Sequence, residues 1–564
     1  MKIAPRIRHR LPFLSWPRPD ATLLRGEFLA GMTVGLMLIP QAVAYAGLAG
    51  MPLITGIYAS LLPALVAVLF SASSRLSVGP TALTAMLVSA SLSGMALPGS
   101  ERWVALAVWL ALLTGALQVV LGLARFGWLL NLVNSPVLMA FTQAAALLIV
   151  GSQLPPLLGL TGDGSHLLTQ WPQWQWHAPS TAFGLGTVAL LMLARRWKPA
   201  FPTVLVAVLA SAGLSAWLGF RASGGEVIGT LPQGLPSLYW PGWPGWHTLG
   251  QLAVPTLVIT LVSFLETASS AKVDNGRKGQ RWDQDQDLIG QGLAKLSSAL
   301  VGAFPTSSSF SRSALNLYAG AQTGWATVSS VLVVFLALLF LIPVLHHVPR
   351  AVLAAIVVVA VVGLLKPREF LKLWTLSRVE AGIAAATVAI TLLAAPQLYW
   401  GVLAGVLMSL SHFLYLRLHP RIIEVGLHGD GSLRDRHLWK LPPLAPDLYA
   451  LRMDAALDFA TANAIERDIT EYLGAHPGTR HVMLIAHPIN WIDATGVEAF
   501  GRIEALLAGK AVTLHLVGIK LPVEHMLRGA GHLRARPGLH LYRTEAEALR
   551  ACSALRGEHE WVSP

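Results

Sequence analysis

Apolar runs long enough to cross a bilayer follow one another from Phe28 to Leu418, and this succession constrains the fold more than any other feature of the chain. A crossing takes roughly 20 residues of helix, and such runs begin near Phe28, Leu53, Val104, Leu129, Ala182, Thr203, Leu252, Thr327, Ala351, Ala381 and Val402. Shorter or interrupted runs lie at Val78 to Leu92, Leu288 to Phe304 and Phe310 to Tyr318, which brings the expectation to about fourteen segments. Hydrocarbon offers no partner to an open N–H or C=O, so segments exposed to it must be helical. An even number of crossings returns both ends of the chain to one side.

Charge placement agrees with that count. The basic loops at Arg75, Arg125, Arg195-Arg196-Lys198, Arg277-Lys278-Arg281 and Lys366-Arg368-Lys372 follow the second, fourth, sixth, eighth and twelfth segments, as the positive-inside rule requires of cytoplasmic loops. Loops of the opposite side are rich in tryptophan, as at 170–176 and 239–246, where amphipathic rings anchor at the interface; His346, His347 and Arg350 are a mild exception there. Residues 1–24 form a basic tail without an apolar stretch ahead of a cleavage site, so it is expected to stay in the cytoplasm, with the chain in the inner membrane.

Only 12% of the 564 residues are charged, against about a quarter in soluble domains, and the mean hydropathy of +0.57 excludes that class. The net charge of +12 is spread over tails and short loops instead of one helix face, so membrane orientation accounts for it better than nucleic acid. The single Cys552 excludes an intramolecular disulfide framework, and no Cys/His spacing suggests zinc. Nor does any Ser/His/Asp, Cys/His or phosphate-loop arrangement support catalysis, so neither an enzyme nor a cofactor is expected.

After Leu418 charges become frequent and apolar runs shorten. Residues 421–440, around Gly429-Asp430-Gly431, read as a linker, and 441–555 as an α/β domain followed by a short tail at 556–564. Strand-like runs at Leu448 to Met453, His481 to His487, Val512 to Ile519 and Leu539 to Tyr542 alternate there with helical patterns at Ala460 to Leu473, Thr495 to Leu507, Pro522 to Gly529 and Glu545 to Cys552.

Two interruptions carry the chemistry. Phe304 to Gly320 opens with Pro305, runs through serines and holds Arg312 inside apolar sequence; Ser77-Val78-Gly79-Pro80-Thr81-Ala82-Leu83-Thr84 has the same character. Paired breaks in corresponding halves of a membrane chain point to a binding site, because half-helix N-termini present unpaired N–H groups and partial positive charge. Arg312 adds a fixed charge and a planar donor fork, so the expected ligand is an anion. Glu266 is the sole acid of its apolar run; it can take up a coupling proton or, with Ser270 one turn on, help hold sodium, or it can form a structural ion pair with Arg312 or Lys272. Lys295 stands where a neutral residue is expected and is placed near the cytoplasmic interface.

The chain resembles the sulfate permease (SulP) family of anion transporters. The likeness rests on Ile39 to Pro52 with Gly56-Ile57-Tyr58-Ala59-Ser60 in the first two segments, on Ser77-Val78-Gly79-Pro80-Thr81, and on Phe304-Pro305 with Ser309-Phe310-Ser311-Arg312-Ser313-Ala314-Leu315-Asn316. Ile492-Asp493-Ala494-Thr495-Gly496 resembles the STAS (sulfate transporter and anti-sigma antagonist) module. The resemblance implies a polytopic α-helical membrane protein of seven plus seven inverted segments, core and gate domains (25–420), a cytoplasmic α/β STAS domain and a homodimer. It places Gln41, Tyr45, Thr81, Ser311, Arg312 and the backbone of Phe310 around the anion, and Thr495 where some STAS modules are phosphorylated. Gln41 and Tyr45, four apart, share a helix face; their structural alternative is helix packing, and that of Thr81 and Asp493 is capping.

The function so implied is secondary active transport by alternating access, coupled to H+ or Na+. Sulfate comes first as substrate, with dicarboxylate or bicarbonate behind it. An uncoupled anion channel is the alternative, and a STAS-centred signalling protein with a cytoplasmic regulatory partner a more distant one.

Overall fold

The computed structural model describes residues 10–161, 175–197, 202–232 and 234–555. Lys2, Arg6, Arg8, Trp171, Trp174, Lys198 and the 556–564 tail lie outside the described residues. The chain divides after Ser409 into two compact units.

The first unit is helical. Its helices are α1 (Ala21–Leu48), α2 (Ile54–Tyr58), α3 (Leu62–Phe70), α4 (Ala82–Leu92), α5 (Glu101–Leu123), α6 (Ser135–Leu158), α7 (Ala178–Trp197) and α8 (Thr203–Trp217) in the first half. The second half holds α9 (Trp246–Lys278), α10 (Gln284–Leu300), α11 (Phe310–Tyr318), α12 (Trp325–Phe340), α13 (Arg350–Val362), α14 (Pro367–Leu376), α15 (Arg378–Leu393) and α16 (Tyr399–Leu418). With α2 and α3 as one broken segment, and the amphipathic α14 and the single turn Ile342–Leu345 set aside, the described residues hold fourteen helical segments, seven in each half. Leu147, Leu190, Met192, Leu336, Phe340, Leu407 and Phe413 are exposed on these helices, an apolar periphery suited to lipid.

Small residues let the inner helices meet backbone to backbone. A Cβ on Gly115 of α5 would lie 2.8 Å from the Gly292 carbonyl of α10, and a Cβ on Gly292 would lie 2.7 Å from the Gly115 carbonyl. Gly56 sits likewise on α1, where a Cβ would come 1.9 Å from the Ala42 carbonyl oxygen.

Two of the short helices each begin at a break in the chain. At 1.5 Å per residue, α4 with 11 residues and α11 with 9 reach roughly half of the ~30 Å hydrocarbon core. Each follows a two-residue strand, β1 (Val78–Gly79) before α4 and β2 (Ser307–Ser308) before α11. The strands pair antiparallel, Val78 opposite Ser308 and Gly79 opposite Ser307, so the strand residues at the two breaks pair with one another within the protein. A buried polar layer beneath ties the same elements together. Asp287 of α10 accepts from the Ser73 amide at 3.0 Å and the Trp282 indole at 2.7 Å, while Arg75 pairs with Asp274 of α9 at 2.5 Å and Lys278 joins it at 3.2 Å. Arg75 and Lys278, expected on one side of the membrane from separate loops, thus share one carboxylate.

The second unit is a six-stranded sheet with helices on both faces. Its strands are β3 (Ile422–Leu427), β4 (Leu433–Asp435), β5 (Leu448–Met453), β6 (His481–Ile485), β7 (Thr513–Val517) and β8 (Leu539–Tyr542). The order across the sheet is β8-β7-β6-β5-β3-β4: the first four strands are parallel, and β3 and β4 are added antiparallel. Helices α17 (Ala462–Ala475), α18 (Ala494–Gly509), α19 (Leu521–Gly529) and α20 (Glu545–Leu555) complete it. Ile465, Ile469, Phe500 and Ile503 pack on Leu451, Leu484 and Leu516 of one face. The reading of 421–440 as a linker is corrected here. Gly429-Asp430-Gly431 is the turn of a hairpin, with Gly431 at φ +82, and Ile423 and Val425 are buried in the core of the domain.

Candidate anion site

The two half-helix starts face one structural problem, the open N–H groups of their first turns. In α11 the Ser309 side chain caps the helix by accepting from the Arg312 amide at 3.5 Å, and the Ser313 amide returns to the Ser309 carbonyl at 2.9 Å. The amides of Phe310 and Ser311 have no partner among the described residues. In α4 Thr81 caps by accepting from the Thr84 amide at 3.3 Å, which leaves those of Ala82 and Leu83 open. Two pairs of free donors therefore stand at the ends of a single strand pair.

Arg312 lies behind these donors, 1% exposed. Its Nε donates to Ser77 Oγ at 3.3 Å, and Nη2 is buried without a partner near Gly79, where a Cβ would stand 3.6 Å away. A buried donor with no acceptor costs roughly 1–3 kcal/mol, and more when it is charged. Gln41 has a similar loose end, 2% exposed with Oε1 unpartnered, and Tyr45, one turn further along α1, is 5% exposed and electrostatically coupled to both Arg312 and Glu266. Phe310 and Ser311 are exposed, with Ser311 Oγ 3.3 Å from Ser309 Oγ.

Glu266 on α9 reaches the same place, its Oε2 accepting from Thr81 Oγ1 at 3.2 Å and Thr84 Oγ1 at 3.4 Å. Thr81 is thus both a helix cap and a carboxylate donor, so its hydroxyl proton is not free for an anion. No ion pair within 4.0 Å joins Glu266 to Arg312 or Lys272 among the described residues. Ser270 is buried, but its hydroxyl donates to the Glu266 backbone carbonyl at 3.2 Å, so it is turned along the helix and away from the carboxylate.

Lys295 corrects the sequence reading most clearly. It is 0% exposed in the interior of α10, with Nζ donating to Gln118 Oε1 of α5 at 2.9 Å, so its amine is held inside the helix bundle and does not reach out to the surface. Gln291, Lys295 and Ser298, spaced by four and three, form one buried polar face, and that periodicity was the available signal. Sequence reasoning also missed Thr84, Gln118, Ser77 and Ser307 as partners; each is polar and buried, but only the fold brings it to the site.

In the second unit Asp493 caps α18, accepting from the Gly496 amide at 2.8 Å and the Phe459 amide at 3.1 Å. Thr495 is exposed in the first turn of that helix.

Paired half-helices facing one another across a two-residue strand pair, with a buried arginine between them, define a multi-pass membrane protein of the anion-transporter class. Residues 24–387 match the sulfate permease family and residues 443–548 the STAS domain. The chain belongs to the sulfate permease family. It is 31% identical over 537 residues to a probable sulfate transporter of Mycobacterium tuberculosis, covering 94% of this chain and 95% of that protein. It is also 31% identical to sulfate transporter 4.1, chloroplastic, of Arabidopsis thaliana, over 84% of this chain and 72% of that one. The fold matches the murine solute carrier 26 family member A9 anion transporter with a TM-score of 0.86 at 19% identity, covering 98% and 95% of the two chains. The transmembrane domain of a cyanobacterial bicarbonate transporter, BicA, matches with a TM-score of 0.60 at 20% identity, covering 69% of this chain and 98% of that one.

Proposed function

We propose that the protein is a secondary active carrier of a small oxyanion, sulfate first, in the inner membrane with its STAS domain in the cytoplasm. The observation that carries this reading is the buried Arg312, whose unpartnered Nη2 stands with the free amides of Phe310, Ser311, Ala82 and Leu83. An oxyanion supplies the acceptors that these donors lack, and it gains fixed charge with two helix termini. Gln41 and Tyr45 line the site from α1, Thr81 orients Glu266, and Glu266 is the group through which a coupling cation acts. The sulfate-transporter names of the bacterial and plant relatives favour sulfate over dicarboxylate or bicarbonate. Alternating access moves the α4 and α11 body against the remaining helices, and the family expectation of a homodimer applies. Ser270 belongs to the helix that carries Glu266, and Thr495 is offered as an accessible regulatory hydroxyl.

Purified protein in liposomes is expected to take up labelled sulfate saturably, with unlabelled succinate and bicarbonate as competitors. Arg312→Ala is expected to lower uptake by at least about a hundredfold, a loss of roughly 3 kcal/mol from one buried charge-assisted contact. Unchanged flux in that variant would sink the site. Currents rising linearly with anion concentration, without counter-transport, would replace the carrier with a channel.

A further inference from the structure

Lys295 is a buried amine with no carboxylate in contact among the described residues, and holding a charge there is expensive. Its one acceptor among the described residues is Gln118 Oε1 at 2.9 Å, and the same amide donates through Nε2 to Ser263 Oγ at 3.0 Å and the Thr260 carbonyl at 3.2 Å. Ser263 lies one turn before Glu266 on α9, and its carbonyl accepts from Ser307 Oγ of β2 at 3.2 Å. Glu266 in turn holds Thr81 and Thr84 beside β1. Every member of this chain of contacts from α10 through α5 and α9 to the half-helices is at least mostly buried.

Isolated charges in such surroundings are tolerated only when another charge compensates them. Arg312 and Lys295 are buried and Glu266 is half-buried, and Glu266 supplies the one carboxylate on this chain of contacts. With Lys295 protonated and Glu266 ionised, the three count as +1, +1 and −1 and leave the site at +1. Without Lys295 the sum is zero, and a dianion then meets no net attraction unless a cation enters from solution. The Glu266 carboxylate with the hydroxyls of Thr81 and Thr84 is an all-oxygen group of the kind that takes a hard cation. We propose that Lys295 is a resident counter-cation for Glu266, standing in for a coupling sodium ion, so that anion binding in this chain does not depend on sodium. The inference rests on the carrier reading and narrows its choice of coupling ion.

The test uses the full-length protein in detergent, with thermal unfolding followed in sodium, potassium and choline chloride at equal ionic strength. The wild type is expected to melt at the same temperature in all three. Lys295→Met keeps the volume and removes the charge; it is expected to lose several degrees in choline and recover a few of them in sodium alone. In Lys295→Met/Glu266→Gln, which removes both charges, the loss shrinks and the sodium response disappears. A structural role for Lys295 alone would lower stability without any preference among cations. A sodium-specific rise in the wild type overturns the proposal, as does a folded Lys295→Met that answers all three salts alike. If Lys295→Met fails to fold, the double variant decides: its recovery supports the charge pair, and its failure to fold overturns it. In liposomes, an imposed sodium gradient is expected to leave wild-type sulfate uptake unchanged. Absence of all anion uptake would refute the carrier while leaving the cation response of the melting curves to be read independently.

Discussion

At the scale of single residues, the membrane unit spends its buried charges in a few places and gives each a definite set of partners. Glu27 of α1 is an instance away from the anion site. It is 1% exposed, and its Oε1 accepts from the amides of Gln322 at 2.9 Å and Thr323 at 2.8 Å in the turn before α12. Removing the acceptor strands two amides, at roughly 1–3 kcal/mol each. Glu27→Ala is therefore expected to lower the unfolding midpoint by several degrees, with Glu27→Gln losing less; a Glu27→Ala melting curve that overlays wild type would show that water replaces the carboxylate. Glu27 shares one trait with Arg312: its Oε2, like the arginine Nη2, is buried without a partner among the described residues, while its Oε1 holds both amides.

At the scale of elements, helix contacts depend on residues too small to register in a hydropathy profile. Gly115 and Gly292 face each other so closely that each would drive a Cβ into the other's carbonyl. Gly292→Val is expected to push α5 from α10, displace Lys295 from Gln118, and reduce both thermal stability and uptake; normal melting with normal uptake would show that the crossing tolerates spreading. Asp493 acts on a smaller scale, and Asp493→Ala is expected to cost the STAS domain about 1 kcal/mol as a lost helix cap, measured by chemical denaturation. Elements of this kind were readable from sequence in proportion to how local their causes are. The four parallel strands and four helices of the second unit follow from alternation and periodicity over a few residues each, so their positions agree closely. The β3 and β4 hairpin did not, because its turn at Gly429-Asp430-Gly431 has the composition of a linker, and only pairing with β5 joins it to the sheet. Arg312 and Glu266 were legible as ions in apolar sequence. Lys295 was legible as an anomaly but not as a core residue, since its burial depends on Gln118, which lies far away in the chain.

At the scale of the whole molecule, the two units answer to different conditions. In the second, His515 of β7 is 4% exposed, 3.1 Å from His481 Nδ1 through Nε2 and 3.1 Å from the Tyr542 hydroxyl through Nδ1, with the His540 ring stacked at 5.2 Å. Burial, then the neighbouring His481 and His540, pushes its imidazole down from the ordinary 6.5 to about 4. The folded state therefore holds His515 neutral while the unfolded chain takes up a proton below 6.5. Its contribution is present above that value and is lost as the pH falls toward about 4, by at most about 3 kcal/mol. Hydrogen exchange in β6, β7 and β8 is expected to accelerate as the pH drops through this window once the intrinsic rate is corrected. His515→Leu should flatten the response; an unchanged profile in that variant would assign the acid sensitivity elsewhere.

The membrane unit carries a mechanical consequence of its smallest sheet. Because Val78 and Gly79 are stitched to Ser308 and Ser307, the starts of α4 and α11 cannot be pulled apart or slid past one another without breaking backbone hydrogen bonds in a place where water is scarce. The two donor clusters therefore behave as the two jaws of one welded clamp. Any stroke that carries the clamp from one face of the bilayer toward the other must carry its cargo intact, with the grip unchanged from start to finish.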